Sequence, residues 1–202
     1  MFTIETSWDD GCIEDFRIAD LLRKYELPGI FYIPNQKTTL TEKQIVELSK
    51  DFRIGGHTVN HPHDIKLLSN LQIEYEVKEN KKTLEQMIGK EVDSFCYPRG
   101  RYNDIVKDIV KSAGYKNART TKVLLTKQPE DLFEMETTIH VYRERVEYNG
   151  RNWLELSKEL LHNACITDGY FHLWGHGWEV QKQGLWDELE ELLSLMYEYN
   201  CK

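Results

Sequence analysis

Apolar residues follow two rhythms along this chain. Phe2-Thr3-Ile4-Glu5-Thr6-Ser7-Trp8 alternates and is rich in β-formers, so it predicts a first strand, ended by Asp9-Asp10-Gly11. Helical spacing takes over from Asp15 to Tyr25, with Phe16, Ala19 and Leu22 on an apolar face flanked by Ile18 and Leu21, until Pro28-Gly29 breaks it. Ile30-Phe31-Tyr32-Ile33 reads as a buried second strand. Thr41-Glu42-Lys43-Gln44 and Ser69-Asn70-Leu71-Gln72 are capping boxes. The first opens a helix to about Lys50; the second opens a long one through Met87-Ile88, with Gly89 as its C-cap. Between them Phe52-Arg53-Ile54 is a short strand, after which Gly55-Gly56 lets the backbone turn.

Ser94-Phe95-Cys96-Tyr97 predicts a fourth strand, Asn103 caps a helix reaching Gly114, and Tyr115 to Arg119 predicts a fifth strand. From Thr120 to Gly150 no clear period is visible beyond a strand over Thr137 to Tyr142. Asn152 to Ile166 is helical, Gly169 to Trp174 a late strand, and a last helix runs from about Leu185 to Tyr199. This alternation implies a parallel sheet with right-handed crossovers. The units are too few for a closed eight-fold barrel. The expected fold is therefore α/β: an incomplete or distorted (β/α) barrel with about seven parallel strands, formed by residues 1–202 as a single domain.

Bulk properties narrow the function. The net charge of −8 disfavours a general nucleic-acid or anionic-membrane binder. No apolar run approaches the roughly 20 residues of a membrane span. Met1-Phe2-Thr3-Ile4-Glu5 enters the first strand without a basic or apolar leader, which points to the cytoplasm. Cys12, Cys96, Cys165 and Cys201 form no CxxC pair and read as free thiols.

The candidate chemistry sits after the strands. Gly55-Gly56-His57-Thr58-Val59-Asn60-His61-Pro62-His63 carries three histidines, and two of them four apart can converge on one metal ion. Asp9 and Asp10 leave a strand in different directions, so one can bind metal while the other stays free as a base. His176 lies between two glycines, with Trp174 and Trp178 offering flat faces to a sugar and Glu179 able to orient a histidine. All of these follow predicted strand ends, the rim on which β/α barrels build active sites.

These residues resemble the polysaccharide deacetylase, or NodB-homology, family. Thr6-Ser7-Trp8-Asp9-Asp10-Gly11 is similar to its Thr-Phe-Asp-Asp-Gly motif, with one extra residue before the aromatic. His57-Thr58-Val59-Asn60-His61 matches its His-Ser/Thr-x-x-His motif. Phe95 to Tyr102 resembles its aromatic-Pro-aromatic-Gly turn, and His176 stands for its late Leu-x-His, one residue further from Leu173 than usual. The motifs occur in the family's order over nearly the whole chain.

The resemblance implies the family's incomplete barrel and a set of roles. Asp10, His57 and His61 would hold a divalent metal, zinc foremost, with cobalt, manganese, nickel or iron compatible with the same ligands. Asp9 would be the general base, His176 the general acid, and the backbone N–H of Arg99 an oxyanion donor. Pro98, Tyr97, Trp174 and Trp178 would contact the substrate, a carbohydrate or sugar precursor. Three departures stand out. Cys96 occupies the place of an Arg that pairs with the base, and Arg99, Arg101 and Arg119 are all candidate substitutes. Arg99 itself replaces an aromatic, and no Asp-x-x-Asp-Trp-like fourth motif occurs between residues 120 and 160 to orient His176.

The expected function is metal-dependent removal of an N-acetyl group from an amino sugar or glycan precursor, nucleotide-linked or lipid-linked forms included. Hydrolysis of a cyclic or other small amide on the same scaffold is a second reading. A catalytically silent carbohydrate-binding module is a third.

Overall fold

The computed structural model describes residues 1–200. Among these residues seven strands alternate with helices except between β5 and β6: β1 (Thr3–Asp9), α1 (Asp15–Lys24), β2 (Ile30–Ile33), α2 (Glu42–Leu48), β3 (Arg53–Gly56), α3 (Asn70–Ile88), β4 (Ser94–Cys96), α4 (Asp104–Ser112), β5 (Asn117–Arg119), β6 (Ile139–His140), α5 (Trp153–Ile166), β7 (Tyr170–Gly175), α6 (Gly177–Gln183) and α7 (Trp186–Asn200). Every strand pairing is parallel, in the order β5-β4-β3-β2-β1-β7-β6. The sheet curls into a half-barrel with β5 and β6 at its edges. The Thr120–Thr138 connection lies against that gap: it hydrogen-bonds to Ala118 on one side, and Thr138 donates to the His172 carbonyl on the other.

Helix signals in the sequence act where they were read. Both capping boxes form, Asn103 accepts from Val106 N, and Gly89 ends α3 in the left-handed conformation. The single helix expected from about Leu185 to Tyr199 is the second of a pair, α6 and α7, parted by left-handed Gly184. Cys12, Cys96 and Cys165 are free thiols, and Cys201 lies outside the described residues. No helix among the described residues is long and apolar enough to cross a membrane.

Strand parity divides the sheet into two environments. One face packs Ile4, Trp8, Phe31, Ile54, Phe95 and Phe171 against the helices. The barrel face is polar. His172 Nε2 meets Ser7 Oγ at 2.8 Å, its Nδ1 meets Tyr170 Oη at 2.6 Å, and Tyr170 donates to Glu5 at 2.8 Å. Burial, aided by the nearby Arg119 charge, drops His172 to about 3, so it stays neutral inside this network. The column rises to Asp9 at the carboxyl rim.

Gly55 and Gly56 prove not to be a turn. Both are in β3, and what they supply is space. A Cβ on Gly56 would stand 2.1 Å from Tyr115 Oη and 2.8 Å from Asn80 Oδ1. That Asn80 oxygen accepts the His57 backbone N–H at 2.8 Å. Gly56→Ala is therefore expected to destabilise the protein by about 1–3 kcal/mol and to disturb the histidine loop. A melting curve checks the first effect, and metal stoichiometry the second.

Candidate active site at the carboxyl rim

Asp9 ends β1, Asp10 follows it, and the two point apart. Asp9 is buried, at 2% exposure, and faces the barrel. Asp10 has a left-handed backbone, φ 78°, which swings its side chain toward the rim. Thr58 (φ 68°), His61 (φ 47°) and Arg99 (φ 57°) share that conformation, so four of the eight non-glycine residues with positive φ among the described residues border this one site. Such backbone costs about 1–3 kcal/mol per residue and concentrates where geometry serves function.

The histidine loop is tightly held. His57 Nδ1 lies 2.8 Å from the Cys96 carbonyl. A carbonyl only accepts, so Nδ1 carries a proton, and Nε2 is the nitrogen turned toward Asp10. His61 N donates to Thr58 Oγ1 at 3.0 Å, and Asn60 donates twice to buried Glu76, at 2.8 and 2.7 Å. Burial first, then the neighbouring His57, lowers His61 to about 4, which keeps it neutral. His57 Nε2 and His61 Nε2 lie 3.7 and 3.6 Å from Asp10 Oδ1. These gaps are too long for hydrogen bonds, yet short enough for one cation to span. Two imidazoles and one carboxylate are a donor set that suits a divalent transition metal. His63 stays outside the set, 3.5 Å from Arg101 Nη1.

The partner of Asp9 is Arg119, the last residue of β5. Its Nη2 donates to both carboxylate oxygens. The guanidinium is fully buried between the rings of Trp174, at 4.6 Å, and Tyr32, at 5.3 Å. Burial alone would raise the Asp9 pKa, but Arg119, with help from His57 and His176, holds it far below the carboxylate range. Cys96 Sγ completes the group, 2.9 Å from Arg119 Nη2 and 3.5 Å from Asp9 Oδ2. Of the three arginines left open by the sequence, Arg101 instead pairs with Asp64, at 3.0 Å, and Arg99 is exposed.

His176 caps α6 with its ring over the same site. Nε2 stands 3.8 Å from Asp10 Oδ2, and Nδ1 2.5 Å from Glu179 Oε2. Burial disfavours a charged ring, but Glu179, then Asp9, raise the His176 pKa above its ordinary value. Glu179 also meets His140 Nε2 at 2.9 Å. Its own burial pushes its pKa up, yet the two imidazoles bring it down to about 2. The sequence leaves Arg119 as one of three candidate partners for Asp9, and nothing in its local context points to His140.

Arg99 sits in a 3-10 turn whose hydrogen bonds come from Gly100 N and Arg101 N, so its own N–H takes no part in them. The four expected substrate contacts divide. Trp178 is 40% exposed, donates to Asp10 Oδ2 at 3.1 Å, and lines a cavity of about 470 Å³ with Tyr142, Glu179 and Lys182. The other three are buried. Tyr97 is buried, stacks on Tyr102 and donates to the Phe133 carbonyl, because it has the opposite parity to Cys96 and so faces the core. Pro98 is buried beside it. Trp174 is 3% exposed, with His140 stacked on it at 3.9 Å and the Arg119 guanidinium over its ring.

Known proteins share this fold. A deacetylase from Streptococcus pyogenes, PplD, solved in complex with acetate, is 26% identical, with a TM-score of 0.61, over 65% of this chain and 62% of its own. A family 4 carbohydrate esterase from Streptomyces lividans, also solved with acetate, is 14% identical with a TM-score of 0.63, over 97% and 86% of the two chains. A pseudoenzyme of carbohydrate esterase family 4 from Bacillus anthracis is 14% identical with a TM-score of 0.63, over 96% of this chain and 59% of its own. The last two likenesses concern the fold alone. This chain thus spans less than two thirds of the Streptococcus pyogenes protein. No curated protein sequence matches significantly. The polysaccharide deacetylase family profile matches residues 2–118, more than half of the sequence and inclusive of Asp9, Asp10, His57, His61 and Arg99. The chain belongs to the polysaccharide deacetylase family.

Proposed function

We propose that this protein is a metal-dependent N-deacetylase acting on an N-acetylated amino sugar or a glycan precursor that carries one. The observation that carries the reading is the divergence at the end of β1. Asp10 faces two imidazoles, while Asp9, one residue earlier, is held ionised by a buried arginine. One strand end thus offers a metal ligand and a free base side by side.

Asp10, His57 and His61 would hold the divalent ion, which supplies Lewis acidity to the acyl oxygen and to the attacking water. Asp9 takes the water proton as the water adds to the acetyl carbon. Arg119 fixes the Asp9 carboxylate and keeps it unprotonated beforehand. The Arg99 N–H is free to donate to the oxygen that gains charge. His176 then gives its Nε2 proton to the departing nitrogen as the C–N bond breaks, leaving acetate and a free amino sugar. Trp178 and the cavity beside it provide room for the sugar.

The test is acetate release from a panel of free, nucleotide-linked, lipid-linked and short oligomeric N-acetyl sugars. Chelated protein is expected to release acetate only at background, and zinc or cobalt to restore it. Metal bound stoichiometrically without acetate from any sugar would defeat the deacetylase reading. Turnover of a cyclic amide would then favour a changed substrate, and sugar binding without turnover a silent module.

A further inference from the structure

We propose that His140 is a positioning residue for the His176 proton donor, acting through a carboxylate that the two rings share. This inference rests on the reading of His176 given above. Its argument begins at Arg145. The Arg145 guanidinium, held by Glu147 at 2.7 Å, places Nη1 3.3 Å from His140 Nδ1. Arginine only donates, so His140 Nδ1 must accept, and the proton of His140 lies on Nε2. That N–H points at Glu179 Oε2, 2.9 Å away. The same oxygen is 2.5 Å from His176 Nδ1. Oε2 therefore receives two N–H donors, and His176 is left with Nε2 as the nitrogen that releases a proton toward the site.

The surroundings fix His140 more firmly than a core histidine requires. The Tyr148 hydroxyl accepts the His140 N–H at 2.8 Å and donates to the His140 carbonyl at 2.6 Å. The ring is sandwiched between Trp174, at 3.9 Å and 8°, and Tyr142, at 5.4 Å and 9°. Burial lowers its pKa to about 4, although Glu179 opposes this, so the ring stays a neutral single-tautomer donor. The chain Arg145–His140–Glu179–His176 is thus directional. Its first two members come from β6 and the loop after it, and Glu179 from α6. Together they stand where the sequence lacks a fourth motif.

The experiment compares His140→Phe, which keeps a stacking ring but loses the N–H, with His140→Gln, which returns an amide donor. His140→Phe is expected to lower kcat about 10–100-fold with KM within about twofold, and His140→Gln to recover at least part of the loss. Nitrogen-15 spectra of the His176 ring, taken on zinc-loaded and metal-free protein, give a second readout. The neutral ring should carry its proton on Nδ1 alone in the parent and on both nitrogens in mixture in His140→Phe. An unchanged His176 spectrum in His140→Phe, or a fall in melting temperature with kcat intact, overturns the proposal. If His140→Phe does not fold, Arg145→Gln, which frees His140 to exchange tautomers, should produce the same mixture, and a single Nδ1–H form there overturns the proposal. The spectra do not depend on turnover, so a protein that releases no acetate would sink the deacetylase reading while the tautomer lock is still decided.

Discussion

Asp9→Asn is expected to reduce acetate release by about 10²–10⁴-fold, the range of a lost general base, while metal still binds at the parent stoichiometry. His57→Ala is expected to lose both. The contrast follows from which groups each residue faces. Asp9 makes its bonds to Arg119 and Cys96 and none to the two imidazoles of the histidine loop. His57 is anchored by Asn80 and the Cys96 carbonyl, with Nε2 toward Asp10. An asparagine at position 9 keeps the shape and an oxygen for Arg119 but cannot take a proton from water. Metal analysis and acetate assays on the same preparations decide the matter. More than a tenth of parent activity in Asp9→Asn would remove Asp9 from the base role, and full metal loss in that variant would make it a ligand instead.

The rim residues were legible because each follows a strand end, and the barrel topology gathers strand ends in one place. Asp10, His57, His61 and His176 converge for that reason, although His57 and His176 are more than a hundred positions apart. Arg119 was harder to find. It lies on a three-residue edge strand, and its salt bridge spans 110 positions, so no local pattern ties it to Asp9. His140 lies on a two-residue strand inside the stretch without a period, where hydrophobic rhythm carries least information. Tyr97 and Trp174 are buried for two different reasons. Parity along β4 puts Tyr97 opposite Cys96, and so in the core, which strand alternation alone would have indicated. Trp174 does face the barrel, but His140 and Arg119 already cover its ring. An aromatic near a motif says nothing about which of its faces is still free.

Arg119→Ala should be the most damaging single change to stability at the site. Removing one member of a buried ion pair leaves the other desolvated, which costs about 3–5 kcal/mol. At about 2–4 °C per kcal/mol for a chain of this size, the melting temperature should fall by roughly 6–20 °C. Activity should fall too, because Asp9 without its partner rises toward protonation under the burial that Arg119 now opposes. Arg119→Lys is expected to rescue only part of this. A lysine presents one ammonium, whereas the planar guanidinium meets Asp9 through Nη2, donates to the Thr120 carbonyl through Nη1 and stacks on Trp174. The sharper test moves the charge. Cys96 Sγ is 3.5 Å from Asp9 Oδ2 and 2.9 Å from Arg119 Nη2, so a side chain from position 96 enters the same space. In the double variant Cys96→Arg/Arg119→Ala, much of the lost stability and turnover should return, since the ion pair is rebuilt from β4 instead of β5. Cys96→Arg alone should be harmful, because it crowds two guanidinium groups around one carboxylate. If Arg119→Ala melts within about 2 °C of the parent and keeps its kcat, the buried pair contributes neither stability nor a poised base. If Arg119→Ala is damaged and the double variant no better, what matters is the fit of Arg119 between Trp174 and Tyr32, not its charge beside Asp9.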